Sequence, residues 1–183
     1  MSNHILHSSS SRARGEDSEG KSMPEQLENT RNEALEFARR TRRNLEYIEK
    51  ASEEDHPVHP VTQLTLSLLG LVVFPKEKLY LEEAKAMTVD KLRANGWPEW
   101  TISLDNTDER SENLWVILWH LRNATCHGRL IYSSDSRDME DVTIIVEDKM
   151  PRAKEPYWRA SIQAKELRTF CYHLLDFIEQ TIG

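Results

Sequence analysis

One segment constrains this chain more than any other: Leu114-Trp115-Val116-Ile117-Leu118-Trp119-His120-Leu121. Helical residues advance by about 100° each, so the seven apolar residues of this run cover nearly the whole circumference of a helix. A helix that is apolar all round is a central one, with other elements packed about it. Yet Asn113, His120, Asn123 and His127 fall together in a sector roughly 80° wide. Buried polar groups cost free energy unless they are hydrogen-bonded. The stripe therefore requires partners: a cleft, a second subunit, a ligand, or a hydrogen-bonded core network.

The end of this helix carries the chemistry. Arg122 is a permanent cation whose planar fork suits phosphate oxygens. His127 belongs to the one side-chain type that ordinarily titrates near neutrality, and it can move a proton. It falls in the last turn, before Gly128, a C-cap candidate. With the amide of Asn123, the set suits phosphodiester cleavage. The histidine relays a proton to or from a ribose oxygen while the arginine stabilises phosphoryl charge. Residues five apart on a helix diverge by about 140°, so Arg122 and His127 do not share a face. The length of the Arg side chain, an unwound last turn, or a symmetric dimer that builds the site from two chains would bridge that gap.

The rest of the sequence reads as one domain with a tail. Residues 1–22, with Ser8 to Ser11 and few apolar side chains, are expected to be flexible, leaving 23–183 as the folded domain. A long helix starts near Pro24, with Leu27, Ala34, Leu35, Ala38, Leu45 and Ile48 as its apolar stripe. Its outer face holds the densest basic cluster, Arg39, Arg40, Arg42 and Arg43. Glu36 and Glu46 lie four residues from Arg40 and Arg42, so this is either an ion-paired solvated face or a phosphate-contacting one. His56-Pro57-Val58-His59-Pro60 reads as a turn. Pro60 then opens a second helix, apolar on all sides as far as Phe74 and stopped by Pro75. One further helix is expected over about Glu82 to Ala94, closed by Asn95-Gly96. Asp105 to Glu109 reads as an acidic approach to the central helix.

Beyond Gly128 the period changes. Leu130–Tyr132 and Val142–Val146 read as strands around a polar loop, with a third strand at Tyr157–Ile162. A last amphipathic helix begins near Ser161 or Gln163 and presents Leu167, Phe170, Cys171, Leu174, Phe177 and Ile178 at core spacing. The fold class is mainly α, a helical bundle with a small antiparallel hairpin or sheet inserted before the C-terminal helix.

Composition limits the functions available. The net charge of -7 means that any nucleic-acid binding must use a local basic patch. Two cysteines make no disulfide framework, and there is no apolar leader, so a cytoplasmic protein is expected. The most apolar run, Leu64 to Phe74, is too short for the roughly 20 residues that a membrane span needs, and no membrane partner is expected. Cys126, His127, Cys171 and His173 lack a zinc spacing, and phosphate-loop and dinucleotide motifs are missing. We expect no metal and no cofactor.

Arg122-Asn123-Ala124-Thr125-Cys126-His127 has the pattern Arg, polar residue, three residues, His. It resembles the signature of ribonuclease-type HEPN domains, and the wider run His120 to Gly128 is close to that family's typical wording. Leu68 to Glu77, ending Phe74-Pro75-Lys76-Glu77, resembles a block of a plasmid- and defence-associated HEPN branch. So does a hairpin followed by a final amphipathic helix. The likeness covers roughly residues 24–182. It implies a helical bundle that forms a homodimer by packing its motif helices around a shared cleft. It also implies metal-independent endoribonuclease activity leaving a cyclic phosphate, in the setting of a toxin or defence effector. Carried over by position, Arg122 and His127 would be catalytic and Asn123 accessory, with His120 and Asn113 completing the polar stripe. RNA would be the substrate, guided by the arginines from Arg39 to Arg43, and a cognate antitoxin or regulatory protein would be a partner. Non-cutting HEPN domains also exist, so the alternative is a non-catalytic dimer that binds a nucleotide or a partner protein.

Overall fold

The computed structural model describes residues 22–74, 80–107 and 110–183. The expected tail, apart from Ser22, and the stop at Pro75 lie outside them. Among the described residues the order is α1 (Met23–Glu53), α2 (Pro60–Val73), α3 (Leu81–Ala86), α4 (Val89–Ala94), β1 (Thr101–Asp105), α5 (Leu114–Cys126), β2 (Leu130–Tyr132), β3 (Thr143–Asp148), β4 (Trp158–Gln163) and α6 (Ala164–Ile182). This is the mainly α architecture with a small antiparallel sheet that the periodicities predict.

Helices α1, α2 and α6 pack on one another, and α5 lies between α2 and strand β3. That position explains its all-round apolar surface: Leu114, Leu118, Leu121 and Ala124 are buried in the common core. The sheet runs β1-β4-β3-β2 and every pairing is antiparallel. Strand side chains alternate between faces. In β3 the inward set is Ile144, Val146 and Asp148, and in β4 it is Trp158, Ala160 and Ile162. The β3–β4 register therefore turns one carboxylate into an otherwise apolar face, directly opposite Trp158.

Several elements depart from the sequence reading. The helix expected over Glu82 to Ala94 is two short helices. Thr88 breaks it by capping α4, its hydroxyl accepting from Lys91 N, while it bridges to Asn113. The backbone bonds Val89 N to Glu112 O and Leu114 N to Met87 O tie this break to the start of α5. β1 is a strand that the reading missed. Its Asp105 does not sit at a helix N-terminus but accepts from Thr107 and Ser111. Burial alone would raise this carboxyl, yet those hydrogen bonds outweigh it and hold it below its ordinary value. Ser161 lies within β4, so the last helix starts at Ala164 rather than at Ser161. Leu27 is exposed, and in the α1 stripe Ala34, Ala38 and Leu45 are buried while Leu35 and Ile48 are half-buried. Leu66, Val73 and Phe74 likewise leave one side of α2 in solvent. The His56–Pro60 turn is a turn, fastened by the Arg137 guanidinium on the carbonyls of Val58 and His56. No described helix is long and apolar enough to cross a membrane.

Candidate functional site

The motif lies along the second half of α5. Asn113 is the N-cap of this helix, its side chain accepting from Val116 N at 3.1 Å. That job accounts for its polarity, so Asn113 belongs to the helix start and not to a stripe running down to His127.

At the other end the chain leaves α5 through a Schellman motif. Gly128 N bonds Thr125 O at 3.0 Å and Arg129 N bonds Ala124 O at 2.9 Å. Gly128 has φ +63, a left-handed conformation that glycine adopts without a Cβ penalty. His127 is the C-cap residue with φ -100, and its N–H bonds Ala124 O at 3.2 Å, three residues back. The last turn is therefore tightened, and the His127 side chain is exposed at the helix end. Arg122 is half-buried one and a half turns earlier, and Cys126 is exposed beside His127.

The other two stripe residues face inward onto Asp148. Its Oδ2 accepts from Asn123 Nδ2 at 3.1 Å and from the Tyr157 hydroxyl at 2.6 Å, and pairs with His120 Nδ1 at 3.0 Å. Arg129 stands 3.8 Å from its other oxygen and also donates to the Lys149 carbonyl. Burial by itself would raise the Asp148 carboxyl. The hydrogen bonds from His120, Tyr157 and Asn123 reverse that and hold it below its ordinary value. The Tyr157 phenol is pushed above its ordinary range by burial and by the adjacent carboxylate. The imidazole of His120 is completely buried and stacks on Trp158 at 4.6 Å and 9°. Its Nε2 has no hydrogen-bond partner among the described residues. His120 and Asn123 thus belong to the hydrogen-bonded core network that the stripe permitted. That network braces the motif helix against β3 and against the segment entering β4.

A half-open cleft of about 530 Å³ lies beside α5 ahead of the motif, walled by Trp115 and Trp119 of α5, Met150 and Tyr157, with Asn106 and Thr107 among its lining residues.

The profile of the family HEPN pEK499 p136 matches residues 22–183. The chain belongs to this HEPN family. The match spans the helical domain and the inserted sheet alike, leaving only the N-terminal segment outside. Comparison with curated proteins and with solved structures returns no match.

In this HEPN chain Arg122, Asn123 and His127 all lie on the last turns of α5, but Asn123 faces Asp148 while His127 is exposed at the helix end. The arginines of α1 stand elsewhere. Their helix packs on α2 and α6. Arg42 binds Asp176 at 2.7 Å and Glu179 at 3.2 Å on α6, and does not pair with the Glu46 that its spacing offered. Arg39 pairs with Glu36 at 3.1 Å, and Arg40 lies 3.9 Å from the same carboxylate. Arg43 is exposed. Sequence reasoning missed Asp148, Tyr157 and Arg129. One signal was available: extending the alternation of Ile144 and Val146 by two residues puts Asp148 on the buried face.

Proposed function

We propose that this HEPN chain is a metal-independent endoribonuclease, acting as a homodimer in a toxin or defence setting. The 2′-hydroxyl of a ribose attacks the adjacent phosphorus, the 5′-oxygen of the next nucleotide leaves, and a cyclic phosphate remains. His127 relays a proton to or from one of these ribose oxygens. Arg122 stabilises charge on the phosphoryl oxygens. Asn123 positions the motif helix through Asp148, and its donor group is not directed at the substrate.

The observation that carries this reading is the intact motif in a HEPN member, with His127 exposed at the C-cap of a braced helix. The roughly 140° between positions 122 and 127 on a helix favours assembly of the site from two chains, each lending one group. An antitoxin or regulatory protein would act by covering His127 and its surroundings.

A second reading has one observation in its favour. Asn123 and His120 are spent on a core network, as they would be in a HEPN dimer that binds a nucleotide or a protein without cutting. Incubation of purified protein with total RNA in excess EDTA, beside His127→Ala, separates the two. Cleavage by the wild type alone, with cyclic-phosphate ends, supports the nuclease. Equal cleavage by the variant refutes the assigned site. Inert wild-type protein, stabilised thermally by a nucleotide, favours the binding module.

A further inference from the structure

The α5 residues that wall the cleft, Trp115, Val116 and Trp119, fall between Arg122 and His127 on the helical wheel. On the helical wheel Trp119 lies between Arg122 and Asn123 of the next turn, and Trp115 lies one turn before it. Trp119 precedes Asn123 by one turn and His127 by two, about 6 Å and about 12 Å along the axis. Trp119 is 39% exposed and Met150 is 65% exposed, so two large apolar groups stand open to solvent at this place.

The remaining lining is suited to a base. Every nucleobase has a face that stacks on an aromatic ring without regard to sequence. The amide of Asn106 has both the donor and the acceptor that a base edge requires, while the Thr107 hydroxyl, whose proton goes to Asp105, has acceptor capacity. The Tyr157 ring is fixed by its 2.6 Å bond to Asp148, the same carboxylate that holds Asn123. One anchor therefore sets both a wall of the cleft and the motif helix. Met150 sits in the run Lys149-Met150-Pro151-Arg152-Ala153-Lys154, where Ala153 N bonds Met150 O at 3.1 Å to close a turn. Arg152 and Lys154 are exposed. In a chain of net charge -7, Arg152 and Lys154, with Glu155 exposed beside them, are the cations that the turn carrying Met150 offers to a phosphate backbone.

We propose that this cleft is a nucleobase subsite. It takes one unpaired base of single-stranded RNA, stacked on Trp119, while the backbone passes from the 149–154 turn to Arg122 and His127. The inference rests on the endoribonuclease reading and extends it: the enzyme cuts next to an unstacked base and rejects duplex, whose bases are not free to enter.

The test uses the full chain carrying His127→Ala, titrated with a single-stranded oligoribonucleotide containing 2-aminopurine, its fluorescence followed. We expect quenching on binding, and none with the same sequence annealed to its complement. Adding Trp119→Ala should weaken binding roughly five- to a hundredfold, the range that loss of one stacking partner gives. Trp119→Phe should restore most of it. Circular dichroism confirms that each variant is folded. Unchanged affinity in Trp119→Ala overturns the subsite, as does absence of binding by the parent. So does a Trp119→Ala protein that sediments as a monomer from a dimeric parent with unaltered RNA affinity, which would give this face to a second copy of the chain. Wild-type cleavage with no effect of Trp119→Ala on affinity or KM refutes the subsite and leaves the nuclease standing. Quenching in a protein that cuts nothing does the reverse.

Discussion

Replacing Asp148 with asparagine keeps the shape of the side chain and removes its charge. The carboxylate is 3% exposed, and its Oδ2 meets His120, Asn123 and Tyr157 at 3.0, 3.1 and 2.6 Å. Hydrogen bonds to a charged group contribute about 1.5–3 kcal/mol and neutral ones about 1 kcal/mol. Three bonds that each lose about 1 kcal/mol, sharing one acceptor and so not fully additive, give a loss of about 2–3 kcal/mol. At about 2–4 °C per kcal/mol for a domain of this size, the melting temperature should fall by roughly 4–12 °C. The pH dependence follows from the direction of the shift. A carboxyl held below its unfolded value contributes stability above that value, about 3.9, and loses it as pH falls through the folded one. The difference between wild type and Asp148→Asn should therefore be complete above about pH 5 and narrow in more acidic solution. Calorimetric scans of both proteins across that range measure it. Equal melting temperatures at neutral pH, or a difference that stays constant on acidification, would refute the assignment of Asp148 as the anchor of the motif helix.

Three further outcomes are expected. Gly128→Ala should cost about 1–2 kcal/mol, because a left-handed backbone burdens any Cβ even where, as here, the atom would meet nothing within 4 Å among the described residues; urea denaturation measures it, and an unchanged midpoint argues against the Schellman ending. Asn113→Ala should lower stability by about 0.5–2 kcal/mol through loss of the α5 cap, with RNA cleavage by the folded protein unchanged. Selective loss of cleavage at constant stability would return Asn113 to the site. Arg42→Ala should destabilise by about 1 kcal/mol by releasing Asp176 and Glu179, and leave RNA affinity as it was; a large drop in affinity would give the α1 arginines the guiding role that the 149–154 turn holds in our proposal.

The sequence by itself determined the elements and the motif. The all-round apolar surface of residues 114–121 announces a helix that must be central, and α5 between α2 and β3 is central. Pro60, Asn95-Gly96 and Gly128 mark ends because their backbone preferences are local. The motif is legible for the same reason: its residues are consecutive on one helix. Only the tertiary structure decided what each polar group faces. Asn113 and Asn123 look alike on a helical wheel, yet one caps its own helix while the other reaches a strand 25 residues away in sequence. Asp148 reads as the charged end of a strand until the pairing of β3 with β4 turns it inward. Arg42 appears matched to Glu46 until α6 presents two carboxylates closer to it. The division has a physical cause. Helix and turn formation depend on neighbours within about four residues, whereas the partner of a charge or an amide is whatever the packed chain brings within hydrogen-bond distance.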